Sequence, residues 1–127
     1  MEINSKLINK YSTTEKRIGT WINGKPLYRK TVAVASVDSS ANSSNVSHGI
    51  SNLKEFVSIT GIAKITGANE YRPISCIYIN NSGVIEPNYA FNVYAITPSV
   101  ITLSYGNWYK TRFDKAYISL EYTKTTD

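Results

Sequence analysis

The stretch from Gly19 to Val32 constrains the fold more than any other part of the chain. Two runs rich in aromatic and β-branched residues, Gly19-Thr20-Trp21-Ile22 and Leu27-Tyr28-Arg29-Lys30-Thr31-Val32, meet at Asn23-Gly24. Asn-Gly between such runs is a strong hairpin signal. The tight primed turns need positive φ at their centre, which Asn tolerates and Gly adopts at no steric cost. A two-residue hairpin turn is predicted there. Pro26 opens the second arm, where its missing N–H is tolerated. That arm runs on through Thr31 to Val37 as a nearly unbroken series of small and β-branched residues. Such a run suits a strand buried on both faces, or one that crosses between sheets.

The same grammar continues down the chain. Strands are predicted over Phe56–Ile65, Ile74–Ile79, Tyr89–Ile96 and Val100–Tyr105, and the final strand is the cleanest. There Ala116, Ile118, Leu120 and Tyr122 form an apolar face, and Tyr117, Ser119, Glu121 and Thr123 a polar one, which is period-two alternation with one face in water. In the Phe56–Ile65 run, Val57, Ile59, Gly61, Ala63 and Ile65 fall on one face. Gly61 marks a bulge or the close approach of another backbone. Turns are predicted at Gly67–Glu70, Asn80–Gly83, Glu86–Asn88 and Thr97–Ser99. Asp38–Ser47 has almost nothing to bury and reads as a mobile surface loop. Ser51–Glu55 reads as a single helical or 3₁₀ turn. Ser12-Thr13-Thr14-Glu15 fits the capping-box pattern, but no apolar helical run follows.

With 10 Tyr in 127 residues, and with no long window dominated by Ala, Glu or Leu, the composition suits a pleated, half-buried surface and not a helical bundle. The expected architecture is an all-β, antiparallel β-sandwich, jelly-roll-like or related, of roughly seven or more short strands. Residues 1–16 are expected to form an extended lead-in that packs on the body through Leu7, Ile8 and Tyr11, and 17–127 a single sandwich domain.

Several function classes find no support. The net charge of +5 comes from scattered Lys and Arg with no block of like charge. It reads as solubility, and no nucleic-acid partner is expected. The lone Cys76 cannot make an intrachain disulfide or a Cys-based zinc site. His48 is the only histidine. Its expected role is a hydrogen bond that ties down the loop before Gly49. Nothing suggests facing carboxylates, a Ser/His/Asp spacing motif or a Gly-rich phosphate loop, so no enzyme activity, metal or cofactor is expected. The start of the chain lacks the apolar core of a secretory signal, and no run approaches the ~20 apolar residues of a membrane span.

Chemistry concentrates in Tyr105–Asp114. Trp108, Tyr109, Arg112 and Asp114, with Asn107, place aromatic rings beside hydroxyl-bonding groups. That mixture suits a sugar ring or a protein surface. Tyr71, Arg72 and Tyr89 are candidates of the same kind. The competing reading has Trp108 and Phe113 turned inward, plugging one end of the core.

Three blocks carry a family resemblance. Gly19-Thr20-Trp21-Ile22-Asn23-Gly24-Lys25-Pro26-Leu27-Tyr28-Arg29-Lys30-Thr31 resembles a signature of bacteriophage and prophage tail structural proteins, found near their C-terminus. His48-Gly49-Ile50-Ser51-Asn52 is similar to the family's second block. Ala116 to Asp127, ending Glu121-Tyr122-Thr123-Lys124-Thr125-Thr126-Asp127, is similar to its third. The blocks occur in the family's order. The loop around Trp108 departs from the pattern, being bulkier than the short Gly/Ser/Arg-rich linker usual there.

The resemblance implies a C-terminal domain of a tail fibre or baseplate receptor-binding protein. Such a domain would be made in the host cytoplasm and act outside the cell on the virion tail. The implied partners are host cell-surface polysaccharide or another receptor, other tail proteins and two further copies of the chain in a homotrimer. A trimerisation or assembly module without its own ligand, or an accessory domain of a polysaccharide-degrading tail spike, are the alternatives.

Overall fold

The computed structural model describes residues 11–127. Eight strands are laid down in chain order: β1 (Lys16–Thr20), β2 (Pro26–Val34), β3 (Ser43–Ser47), β4 (Leu53–Ile65), β5 (Tyr71–Pro73), β6 (Phe91–Ile96), β7 (Val100–Tyr105) and β8 (Phe113–Lys124). They form two antiparallel sheets, β1-β2-β8-β4-β5 and β3-β7-β6. The protein is an all-β sandwich.

The last strand is the axis of the larger sheet. β8 pairs with β2 (Val32↔Ile118, Val34↔Ala116) and with β4 (Gly61↔Ile118, Ala63↔Ala116). Its apolar face, Ala116, Ile118, Leu120 and Tyr122, is wholly buried, as the alternation predicts. Ile101 and Leu103 of β7 and Phe91 of β6 meet it from the smaller sheet. At one end Phe91 gathers Tyr105, Tyr109 and Phe113 in edge-to-face contacts with centroids 5.1–6.2 Å apart, the geometry aromatic quadrupoles favour.

The hairpin forms, but its turn differs from the expected one. Trp21 N–H donates to Lys25 O (2.8 Å) and Gly24 N–H to Trp21 O (2.9 Å), leaving a three-residue loop. Gly24 alone takes positive φ (83°), while Asn23 Oδ1 accepts from Lys25 N–H at 3.0 Å. Asn23 therefore acts through its side chain and Gly24 supplies the left-handed residue of a longer loop.

Asp38–Ser47 is not a loose loop. Ser43–Ser47 is an edge strand pairing with β7 along its length. The segment before it closes on Tyr105. Asp38 N–H donates to Ser44 Oγ (2.9 Å), Ser44 lies 2.7 Å from Tyr105 Oη, and Tyr105 O–H donates back to Asp38 O (2.7 Å). Backbone ladder bonds and one buried phenol hold a segment that has little apolar surface of its own.

Other expectations also shift. No helical turn forms over Ser51–Glu55. Asn52 adopts φ 56° and β4 begins at Leu53. A bulge between Phe56 and Ser58 shifts the alternation at the start of β4, so Phe56 packs beside Tyr122 and His48, while Gly61, Ala63 and Ile65 keep the common face expected of them and Ala63 and Ile65 are buried. The Ile74–Ile79 run makes only isolated bridges, Cys76↔Phe91 and Ile79↔Ile85. Glu86–Asn88 leads into a 3₁₀ turn, Pro87–Tyr89, and the strand predicted from Tyr89 starts at Phe91. Gly61 is a close approach, not a bulge: a Cβ there would lie 3.1 Å from Ile74 Cβ.

Ahead of β1, Ser12 Oγ accepts from Thr14 N–H (3.0 Å) in a local turn, and the capping-box residues start no helix. Ser12 O accepts from Thr31 N–H (2.9 Å), and Glu15 accepts from Tyr122 O–H (2.7 Å) and Lys124 Nζ (2.8 Å). Burial and the Glu15 carboxylate both push the Tyr122 phenol far up. Leu7 and Ile8 lie outside the described residues.

His48 sits before Gly49 as a buried tie. Nδ1 accepts from Ile50 N–H (3.1 Å), so the ring proton is on Nε2, which donates to Thr97 O (2.9 Å). No helix among the described residues is long and apolar enough to cross a membrane.

Candidate functional site

The Tyr105–Asp114 stretch leaves β7, makes a 3₁₀ turn over Asn107–Thr111 and enters β8. Gly106 makes this possible. Its N–H donates to Ala90 O (3.0 Å), and a Cβ at Gly106 would overlap Pro87 O and Asn88 Cα. Absence of a side chain thus lets the Pro87–Tyr89 and Asn107–Thr111 turns pack backbone to backbone. This sets the Tyr89 ring 5.7 Å from Trp108, with Tyr78 a further 5.6 Å from Tyr89.

Trp108 is half-buried and flanked by two guanidiniums, Arg72 4.6 Å and Arg112 5.5 Å from its ring centroid. Both lie within cation–π range of a ring that favours cations over its face. Arg112 also donates to Trp108 O (3.2 Å). Arg72, brought in from β5, is fixed by Glu70 (2.6 Å) and by Tyr109 Oη (3.1 Å). Burial works against its charge, but the bonds to Tyr109 and Glu70 outweigh that and raise its pKa. Beside this cluster lies a cavity of about 300 Å³ lined by Arg72, Tyr78, Glu86 and Tyr89. Its walls offer a guanidinium, a carboxylate and aromatic rings, a donor–acceptor–platform set suited to a polyhydroxylated ligand.

The expected site residues separate into two groups. Trp108, Arg112 and Arg72 come together at the surface with Tyr89. Tyr109 is fully buried against Phe91 and Trp108, so it supports the site from below. Burial, joined by a contact with Cys76 Sγ at 3.4 Å, pushes its phenol up to about 12. Phe113 is buried too, so the plug is made of Tyr109 and Phe113 while Trp108 stays at the rim. Asp114 faces Lys64 (3.6 Å), Asn107 lies exposed 3.5 Å from Asn42 Nδ2, and Tyr71 is exposed on β5 beside Arg72. These three line no part of the cavity.

Tyr78, Glu86 and Glu70 were not foreseen. Tyr78 sits inside an apolar run that reads as a buried strand, and Glu86 reads as a turn residue and as one of the acidic residues at strand ends, not as part of a binding site. The signal was the density of turn residues between Asn80 and Asn88, which prevents a regular strand there. Among the described residues, no group of three or more His, Cys, Asp or Glu is placed to hold a metal ion.

No protein-family model, no curated protein and no solved structure matches the chain.

Proposed function

We propose that this chain is a non-enzymatic host-recognition module of a bacteriophage or prophage tail appendage, and that it binds polysaccharide of the host envelope at the Trp108 cluster. The observation that carries the reading is the half-exposed Trp108, bracketed by Arg72 and Arg112 and adjoining the cavity of Arg72, Tyr78, Glu86 and Tyr89. The Tyr78 and Tyr89 rings that line the cavity offer apolar surface to the C–H side of a sugar, and Trp108 holds Arg72 and Tyr89 in place at its edge. The guanidinium and Glu86 bond its hydroxyls. The three sequence blocks supply the tail setting, and the module acts outside the cell. The test is binding to host cells or a glycan array. Trp108→Ala combined with Arg112→Ala abolishes binding under this reading, and retained binding by the folded double variant refutes it.

One observation favours a second reading, that of an assembly or trimerisation module. Ile77, Ile79, Val84 and Ile85 are each more than half exposed on the excursion between β5 and β6, a concentration of apolar surface that marks association sites. Analytical ultracentrifugation separates the two. A strict monomer removes the assembly role, and a trimer dissociated by Ile79→Glu with sugar binding intact assigns both roles to the chain.

A further inference from the structure

The cavity beside Trp108 holds a charge that the fold leaves unmatched. Arg72, Tyr78, Glu86 and Tyr89 line its roughly 300 Å³. The two ionic groups among them are placed differently. Arg72 already has its partners. Nε donates to Glu70 at 2.6 Å, a terminal nitrogen donates to the Tyr109 phenol at 3.1 Å, and the guanidinium lies 4.6 Å from the Trp108 ring centroid. Glu86 is half-buried and takes part in no ion pair among the described residues. It stands at the cap position of the Pro87–Tyr89 turn, but its side chain makes no capping bond. With Arg72 neutralised by Glu70, one carboxylate is left over at the cavity, in a chain whose net charge is +5.

The aromatic walls are uncommitted in the same sense. Tyr78 and Tyr89 meet edge to face, with centroids 5.6 Å apart and planes at 72°. Among the described residues the chain's own cations stand over Tyr11, Tyr28, Trp108, Tyr109 and Tyr117, and none stands over Tyr78 or Tyr89. Tyr78 is 45% exposed. The main chain ties these groups together: Glu86 N–H donates to Tyr78 O (3.0 Å) and Tyr89 N–H to Glu86 O (3.1 Å). A carboxylate and two rings are thus arranged before any ligand arrives, which cuts the ordering cost of binding.

We propose that the saccharide taken at this cavity carries a positively charged nitrogen, held between the Glu86 carboxylate and the Tyr78 and Tyr89 rings. The inference rests on the reading that the cavity beside Trp108 takes a saccharide, and it names the charge that saccharide bears. Ring quadrupoles attract a cation, and a primary ammonium adds charge-assisted hydrogen bonds to the carboxylate. Other ligands fit worse. Closing any ligand over the cavity takes water from Glu86, and a neutral sugar leaves that charge unpaired. An anionic sugar meets the Glu86 charge and a guanidinium already committed to Glu70. A free amine on a sugar ring and a quaternary ammonium substituent of choline type share the required chemistry.

The test is calorimetric titration of the full chain with three probes. They are a short glucosamine oligomer at a pH that keeps its amines protonated, the same oligomer fully N-acetylated, and choline chloride. The expected result is saturable binding by at least one cationic probe, weakening as salt rises, with the N-acetylated oligomer at least about tenfold weaker. Glu86→Gln keeps the shape and removes the charge without removing a capping bond, and it lowers the cationic affinity about tenfold. Tyr78→Leu lowers it about threefold, the scale of an exposed cation–π contact. Binding by the glucosamine oligomer puts the charge on the sugar ring, and binding by choline alone puts it on a substituent. The inference falls if neither cationic probe binds, if the N-acetylated oligomer binds as tightly as the cationic one, or if folded Glu86→Gln keeps the parental affinity. In each of those cases, binding of host-envelope polysaccharide that is lost in Trp108→Ala/Arg112→Ala leaves the saccharide reading standing, so the two fail separately.

Discussion

Replacing Gly106 by Ala tests how the candidate site is built. A Cβ at this position overlaps backbone atoms of Pro87 and Asn88, which no rotamer change can move aside. The two 3₁₀ turns must separate, losing the Gly106 N–H to Ala90 O bond as well. Overpacking costs about 1–3 kcal/mol and the hydrogen bond about 1 kcal/mol, so Gly106→Ala is expected to destabilise by about 3 kcal/mol. For 127 residues, at an unfolding entropy of about 2.1 cal/mol/K per residue, each kcal/mol moves Tm by roughly 4 °C. The expected drop is thus roughly 12 °C, with a change in Trp108 emission as the Tyr89 ring moves away. Two other glycines serve as controls. Gly24 has open space around it but φ of +83°, so Gly24→Ala costs about 1 kcal/mol in left-handed strain, or roughly 4 °C. Gly19 has neither a positive φ nor a neighbour within 4 Å, so Gly19→Ala is neutral or slightly stabilising. A Gly106→Ala protein melting within about 3 °C of the parent, on the entropy scale just used, would refute the steric argument.

Arg72→Lys keeps the charge but loses the planar fork that reaches both Glu70 and Tyr109; sugar affinity at the Trp108 site falls at least about tenfold in calorimetric titration, with Tm little changed. His48→Ala strands the Ile50 N–H and the Thr97 carbonyl and opens a cavity beside Phe56, so urea denaturation shows a loss of about 2–4 kcal/mol. Stability falls as pH rises above 10: the unfolded chain releases the Tyr109 proton near 10 while the folded chain holds it to about 12, so the unfolded state binds fewer protons across that window. Tyr109→Phe therefore flattens part of the alkaline loss in denaturation curves taken across it, and Tyr122, raised for the same reason, accounts for a further share.

Period-two patterns with one wet face were legible because their physics is local. β8 shows this best: from Ala116 to Tyr122 buried positions alternate with ones partly or fully open to solvent, and the pattern breaks at Thr123, expected on the wet face but fully buried. The hairpin was legible for the same reason, although the loop length depended on how Lys25 and Trp21 pair, which Asn-Gly does not specify. The failures share one cause, stabilisation from distant residues. β3 is serine-rich and looks unfoldable alone, but its partners are β7 and the Tyr105 phenol, some sixty residues away. Phe56 turned inward because a bulge against β8 shifted the register, and a bulge leaves no mark in hydrophobic periodicity.

The candidate site was half legible. Trp108, Arg112 and Arg72 could be named from residue type and clustering, since Trp108 and Arg112 fall four residues apart in one loop and Tyr71-Arg72 sets an aromatic beside a guanidinium. Their roles could not be ranked, because Tyr109 and Trp108 are adjacent and chemically alike. Only the 3₁₀ turn decides that Tyr109 points into the core and Trp108 to the rim. Glu86 and Tyr78 enter through the fold of the β5–β6 excursion, which no local pattern encodes.

The central claim is that this sandwich works by contact, through Trp108 and the arginines around it. Its most direct test is calorimetric binding of purified host-envelope polysaccharide to the parent and to Trp108→Ala/Arg112→Ala. The account predicts saturable binding by the parent and its loss in a double variant of parental circular dichroism. Equal affinity in the two proteins would contradict it.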